Sequence, residues 1–307
     1  MGNRQDKAVL VTGGRGFVGR AAGKLLRREG YEVVSLDCSP VLTDSTEGNS
    51  GEVQCDITDA AALQSVFESR PIEAIIHMAA ILPTVAQREP VRASQVNVQG
   101  SLNLLEMARS FGIRRFVFGS SVSIYGSRPS DHLVSEQDRT APEDLYGAAK
   151  LYVEQLGQSY RDCHGLEFVS LRIVRVLGPG SNSKTSAWRS EIFEMLSAKE
   201  PVEISIPYAA SERVLVAHVD EVAQMIVTLL RAKRLQYSPY NTPCESLLVE
   251  ELKAGVERLN PNVHVRLGES PMKGNPCRLN ASRFEREFGF KSKTIFDWLR
   301  QSRSSNS

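Results

Sequence analysis

Cysteine, net charge and long apolar runs are all scarce in this 307-residue chain, and each scarcity removes a class of function. The five cysteines, Cys38, Cys55, Cys163, Cys244 and Cys277, are odd in number and scattered, so they offer neither a disulfide framework nor a zinc spacing. His77 and His218 also lack a second ligand at metal spacing, so no metal is expected and both read as structural. A formal net charge of +1 gives no electrostatic reason to expect nucleic acid or an anionic membrane as a partner. No apolar run reaches the roughly 18 residues of a membrane span. The polar start, Met1-Gly2-Asn3-Arg4-Gln5-Asp6-Lys7, lacks the apolar region of a signal peptide. A reduced cytoplasmic protein is the simplest expectation. What the chain does have is 41% hydrophobic residues, enough for a sizeable core, and an ordinary 24% charged.

The stretch Val9-Leu10-Val11-Thr12-Gly13-Gly14-Arg15-Gly16-Phe17-Val18-Gly19 is an apolar run, a glycine-rich turn and the start of an apolar-periodic segment. That is strand, turn and helix. Glycine accepts positive φ, and its missing side chain lets a pyrophosphate come close to the helix N-terminus. A second apolar run closes at Asp37, eighteen residues past Gly19, about where a Rossmann unit places the carboxylate that takes a ribose hydroxyl.

Further strands are expected at 53–57, 72–76, 116–118 and 166–176, alternating with helices that run to about Ser69, over 91–111 and over 145–164. The alternation predicts an α/β fold of Rossmann type, a doubly wound parallel sheet covered on both faces. Beyond Gly178-Pro179-Gly180 the rhythm changes to a helix over 188–198, short strands near Val202 and Val214, a helix over 221–232 and a mixed remainder. Residues 1–178, with 213–235, are expected to form the NAD-binding domain, and 179–307 a smaller α/β substrate-binding lobe. Trp188 and Trp298 fall on apolar helix faces and read as core. The tail 302–307 is expected to fray.

Tyr146 and Lys150 are four residues apart at the start of a predicted helix, so phenol and ammonium share a face. A cation beside a phenol favours phenolate, which is what a tyrosine acid/base near neutral pH requires. Ser120 and Ser121 end a strand, and open α/β sheets place their ligands at strand C-terminal ends.

These residues together resemble the extended short-chain dehydrogenases/reductases, the group that includes nucleotide-sugar epimerases and dehydratases. Thr12 to Gly19 is similar to T-G-x-x-G-x-x-G. Asp56-Ile57 is similar to the pair that meets adenine, His77-Met78-Ala79-Ala80 to H-x-A-[AG], and Asn97-Val98-Gln99-Gly100 to N-x-x-G. Ser120-Ser121-Val122-Ser123-Ile124-Tyr125-Gly126, Leu171-Arg172 with Gly178-Pro179-Gly180, and His218-Val219-Asp220-Glu221-Val222-Ala223 resemble further segments. The resemblance implies NAD held by Gly13, Gly16, Phe17, Val18, Gly19, Asp37, Asp56, Ile57, Met78, Ala79, Ala80, Asn97, Tyr146, Lys150 and Ile173. It implies Ser121 as the catalytic hydroxyl, Tyr146 as acid/base, and Lys150 as the residue that grips the nicotinamide ribose and depresses the pKa of Tyr146. It also implies a homodimer paired through helices 91–111 and 145–164.

Several departures narrow the reaction. Dehydratases of this group carry an Asp-Glu pair where this chain has Val122 and Ser123, so elimination lacks its acid and base. Redox at a carbinol remains, as an NAD-dependent epimerase or oxidoreductase acting on a sugar or nucleotide sugar. A dehydrogenase or reductase of a sugar acid, lactone or small hydroxy compound is the alternative, and a non-catalytic NAD-binding regulator is the third reading. Arg175 replaces a substrate-facing Asn. In the cleft it suits a carboxylate or phosphate; at the surface or on a structural carboxylate it binds no substrate. Arg213 is displaced by one position from the usual phosphate-gripping Arg, and Lys273 stands near another, so both are candidate substrate contacts. Asp37 repels a 2′-phosphate and favours NAD, whereas Arg15 is the residue that could admit NADP.

Overall fold

The computed structural model describes residues 8–40, 51–181 and 186–305. The polar start, most of the loop before Gly51, residues 182–185 and the last two residues lie outside them. The chain opens with β1 (Ala8–Thr12), α1 (Phe17–Arg28), β2 (Glu32–Asp37), β3 (Glu52–Gln54), α2 (Ala60–Ser69) and β4 (Ile72–His77). Then come α3 (Pro83–Arg88), α4 (Pro90–Ser94), a π-helical turn (Gln95–Gly100), α5 (Ser101–Ser110), β5 (Arg115–Ser121) and a short turn (Val122–Tyr125). α6 (Leu145–His164) leads to β6 (Glu167–Ile173), β7 (Arg175–Leu177), α7 (Trp188–Glu194), β8 (Val202–Tyr208), β9 (Arg213–His218) and α8 (Val219–Arg231). The chain closes with β10 (Tyr240–Asn241), β11 (Glu245–Leu248), α9 (Val249–Leu259), β12 (Val263–Ser270), α10 (Ser282–Phe288) and α11 (Ile295–Ser305).

A seven-stranded parallel sheet runs β10-β6-β5-β4-β1-β2-β3. β1 explains its layering. All five of its residues are buried. Val9 and Val11 pack into one core with Ala22 and Leu26 of α1 and Val222 and Ile226 of α8. Ala8 and Leu10 pack into the opposite core with Leu63, Leu104 and Leu105 of α2 and α5. A strand apolar over four successive residues, Ala8 to Val11, and buried throughout is covered on both faces, the signature of a parallel sheet. Strand order reverses between β1 and β4, and the crevice beyond their C-terminal ends is where a doubly wound sheet binds its ligand.

A third core lies beyond the main sheet, built from Trp188, Ile192, Phe193, Ile204, Val216, Leu252, Val263 and Leu299. It is bounded by the three-stranded sheet β11-β9-β7 and the pair β12-β8. The apolar run read as one strand over 166–176 is two. β6 stays with β5 as far as Ile173 opposite Ser121, while β7 pairs with β9 from Arg175 onward. The helix expected over 91–111 is interrupted by the π turn, a one-residue expansion that often marks functional positions. The helix expected over 188–198 is α7 followed by a 3-10 turn, and residues 302–305 continue α11 rather than fray. Trp188 is core as expected, 3% exposed, while Trp298 stacks on the His218 ring at 3.9 Å.

A buried ion pair bolts α6 to the sheet. Glu154 takes two bonds from Arg172, Nε at 3.1 Å and Nη2 at 2.7 Å, with the two side chains only 7% and 6% exposed. Nη1 of Arg172 donates to the Tyr125 hydroxyl at 2.7 Å, which donates to Asn241 Oδ1 at 2.7 Å. The Leu171-Arg172 and Tyr125 motifs therefore build scaffold.

Candidate active site

Three strand ends meet at the crevice. The turn after β1 is closed by its own glycines. Gly13 has φ 64°, and a Cβ there would lie 2.7 Å from the Ala79 amide nitrogen. A Cβ at Gly19 would lie 2.1 Å from the Gly13 carbonyl oxygen. Gly16 differs, because it is exposed and a Cβ on it would touch only Gly13, at 3.0 Å. Its open side adjoins the first turn of α1. There the N–H groups of Phe17, Val18 and Gly19 have no intrahelical acceptor and the helix dipole favours an anion.

At the end of β2, Asp37 accepts from the Arg15 N–H at 3.1 Å and the Ser39 N–H at 3.0 Å, which leaves further lone pairs for a hydroxyl. Arg15 is committed elsewhere: its Nε pairs with Glu52 at 3.1 Å, and Nη1 donates to the Ser39 carbonyl. Asp56 is exposed and folds back on Thr58 at 2.9 Å, while Ile57 is buried against Gly100.

Met78, Ala79 and Ala80 follow β4, and Asn97 governs them indirectly. Its Oδ1 accepts from the Ile81 N–H at 2.7 Å, and its Nδ2 donates to the Ile81 carbonyl at 2.9 Å. His77 is wholly buried, as a structural residue should be. The Ser101 hydroxyl donates to the Asn97 carbonyl at 2.7 Å, so it accepts from His77 Nε2 at 2.9 Å, and Nδ1 accepts from Thr12 Oγ1 at 2.7 Å. That chain of bonds requires a neutral ring.

Burial, then the charge of Lys150, lowers His77 from 6.5 to about 3. Between those values the unfolded state holds more protons, so stability is complete above pH 6.5 and is lost as pH falls toward 3. His218, lowered to about 4 by burial and Lys293, acts in the same direction. Thermal unfolding followed from pH 7 downward should show the midpoint dropping through this window, and His77→Gln should flatten the slope. An unchanged slope in the variant would assign the acid sensitivity elsewhere.

Ser121 ends β5 opposite Ile173. Its oxygen accepts from the Ser123 N–H at 3.2 Å and the Ser123 hydroxyl at 2.9 Å, so its own proton is left to donate. Tyr146 opens α6, capped by Asp144, which accepts from the Gly147 N–H at 2.6 Å. A Cβ at Gly147 would lie 2.8 Å from the Ser123 carbonyl oxygen, so this glycine lets the first turn of α6 seat on the Ser121–Ser123 turn.

Lys150 is 4% exposed, and its Nζ donates to the Gly119 carbonyl at 2.7 Å. Burial lowers its pKa to about 7, against the pull of Glu154. The expectation that Lys150 depresses the phenol is corrected here. Nζ lies 5.5 Å over the Tyr146 ring without bonding the hydroxyl, and burial with the Asp144 charge raises the Tyr146 pKa. The opposing cation is Arg189, a residue sequence reasoning missed because a lone Arg on a short helix reads as solvated.

Arg175 is largely enclosed and makes no salt bridge among the described residues. Nη1 donates to the Tyr208 hydroxyl at 2.9 Å, Nη2 contacts Met272 Sδ at 3.3 Å, and Nε is enclosed without a partner. Arg213 instead donates to the Ser246 carbonyl at 3.1 Å, and Lys273 is exposed. Among the described residues there is no cluster fit to hold a metal and no helix long and apolar enough to cross a membrane.

Fold and site together define a Rossmann-type dinucleotide-binding protein with Ser121, Tyr146 and Lys150 on the elements beside its glycine turn. The sequence model of the NAD dependent epimerase/dehydratase family matches residues 9–241, and the chain belongs to that family. It is 33% identical over 208 residues to a UDP-glucuronate 4-epimerase of Thermodesulfobacterium geofontis, covering 64% of this chain and 63% of that protein. It is 27% identical over 216 residues to a UDP-glucose 4-epimerase of Halalkalibacterium halodurans, covering 68% and 61%. The matches thus span less than two thirds of those relatives' length.

The fold is similar to that of the Thermus thermophilus UDP-glucose 4-epimerase in complex with NAD, with TM-score 0.82, 24% identity and coverage of 97% and 98%. It is also similar to an L-threonine dehydrogenase of Phytophthora infestans, with TM-score 0.86, 20% identity and coverage of 97% and 99%. NAD is the family's cofactor, and the cradle fits it: an open glycine at a helix N-terminus, a ribose-height carboxylate, and Arg15 held by Glu52.

Proposed function

We propose that this protein is an NAD-dependent epimerase or oxidoreductase that interconverts a carbinol and a carbonyl on a sugar or nucleotide sugar. The observation that carries the reading is the donor state of Ser121: a hydroxyl already accepting twice presents its proton to a substrate oxygen. Ser121 orients the carbinol oxygen, and Tyr146 takes the hydroxyl proton and returns it. Lys150, loosely charged near neutral pH, holds the ribose, and Arg189 is the cation that favours the phenolate. The nicotinamide, when bound, accepts and returns the hydride, and the protein supplies orientation and proton movement. Phe17, Val18 and the glycines hold the pyrophosphate, Asp37 the ribose, Asp56 and Ile57 the adenine, and Met78, Ala79, Ala80 and Ile173 line the path between them.

In this reading residues 1–178 with 213–235 hold the cofactor, and 179–307 hold the substrate through Arg175, with Arg213 and Lys273 toward its outer portion. A second reading, oxidation of a sugar acid or related hydroxy compound, is favoured by Arg175, which has no carboxylate among its bonded partners. One experiment separates the two. Purified protein is incubated with nucleotide sugars and sugar acids while NADH absorbance and product stereochemistry are followed together. Isomerisation without net absorbance change supports epimerisation, stoichiometric NADH supports the dehydrogenase, and silence across the panel sinks both.

We also infer a homodimer. Leu82, Val91, Leu145 and Tyr152 are about half exposed or more (49%, 71%, 52% and 53%) on the face shared by α3, α4 and α6. Light scattering should give twice the chain mass, and Val91→Lys with Tyr152→Lys should return it to the monomer. Five unpaired cysteines fit a reducing, cytoplasmic setting.

A further inference from the structure

Around Tyr208, whose ring also meets Trp188 edge-on at 6.3 Å, lie two guanidiniums whose bonded partners among the described residues are all neutral. Arg175 engages Tyr208 and Met272, lies 5.0 Å over the Tyr208 ring, and leaves Nε enclosed and unpartnered. Arg189, in the first turn of α7, donates to the Ser186 carbonyl at 3.4 Å and to the Ser186 hydroxyl. Its backbone carbonyl accepts from the Gly178 N–H at 3.0 Å, which ties the first turn of α7 to the end of β7. Burial, then the charge of Arg175, lowers Arg189 to about 10, and Arg189 is near enough to Tyr146 to pull the phenol down. Both side chains keep part of their surface accessible, and that part is what a ligand would meet. Like charges in a desolvated space repel with little screening, so such a pair is stable only where an anion joins it.

We infer that Arg175 and Arg189 form a carboxylate clamp beside Tyr146, which selects a hydroxy acid whose carboxylate neighbours the reacting carbinol. The placement beside Tyr146 rests on the reading of that residue as the group that moves the carbinol proton. The position favours a carboxylate over phosphate. A nucleotide sugar carries its phosphates on the anomeric oxygen, across the ring from a distant hydroxyl, whereas an acid group on the adjacent carbon sits one bond from the reaction. Planar guanidiniums also match a carboxylate fork.

The test is calorimetric and independent of turnover. NAD-loaded protein is titrated with D-glucuronate, D-glucose, inorganic phosphate and UDP. Glucuronate should bind about 10–100-fold tighter than glucose, the gain expected of charge-assisted bonds in a desolvated site. Arg175→Gln and Arg189→Gln should each remove most of that difference while leaving NAD affinity unchanged. Deleting an unneutralised charge should leave the melting temperature equal or higher, and if a variant fails to fold, the wild-type titrations still decide. Equal affinity for glucuronate and glucose overturns the clamp. So does tighter binding of phosphate or UDP that the same substitutions abolish, since the pair then holds phosphate. Glucuronate selectivity without turnover on any carbinol upholds the clamp and sinks the hydride-transfer reading instead.

Discussion

Tyr146→Phe is expected to lower turnover by about 10²–10⁴-fold, the usual contribution of a positioned acid/base, while the protein still folds and binds NAD. The ring of Tyr146 would remain at the start of α6, where the Asp144 cap and the Gly147 contact fix the backbone without using the hydroxyl. Only the proton path is removed. Burial holds the wild-type phenol protonated, so the catalytic cycle needs a nearby cation to release that proton, and Arg189 is that cation. Ser121→Ala should also slow turnover, because it deletes the proton that Ser123 leaves for the substrate. Steady-state rates beside NAD titration and thermal melting separate chemistry from folding. A Phe variant with full activity would remove Tyr146 from the chemistry and revive a purely regulatory NAD-binding role.

Glu154→Ala is expected to cost about 3–5 kcal/mol of stability, the range seen when one member of a buried ion pair is deleted. The loss follows from what remains. Arg172 is 5% exposed and would keep its charge with only Tyr125 to meet it. Glu154 lies one helical turn past Lys150 on α6 and raises its pKa, so its removal would also favour neutral Lys150. Equilibrium urea unfolding measures the first effect. The paired replacement Glu154→Met with Arg172→Met should recover much of the loss, because apolar residues of similar size leave no charge behind. If the single variant unfolds at the wild-type midpoint, the pair contributes nothing and the coupling of α6 to β6 lies in apolar contacts.

Much of the fold was legible because its signals are local. β1 is apolar from Ala8 to Val11 because both faces are covered, and the glycines of the turn are set by contacts a few ångströms away. The placement of Ser121 at a strand end and of Tyr146 and Lys150 on one helix was legible because both are also local patterns. What stayed hidden depends on contacts distant in sequence. Val174 separates β6 from β7 only because β9, some forty residues on, claims the strand from Arg175. The π turn over 95–100 contains Asn97, which braces Ile81 sixteen residues earlier, a contact no periodicity encodes. Arg189 was invisible because its meaning depends on the charges of Tyr146 and Arg175, which are distant from it in sequence.

The break at Val174 also bears on how this scaffold could change its chemistry. Arg172 is bound into the load-carrying network of α6 and the main sheet, while Arg175, three residues later, hydrogen-bonds only within the lobe sheet and its neighbours. One short segment therefore holds a scaffold anchor and the residue to which the proposed function gives recognition, with Ile173 and Val174 between them. Exchanging residues 175–177 should retune the ligand without disturbing nucleotide affinity, so the seam between β6 and β7 is the natural graft point for new specificity.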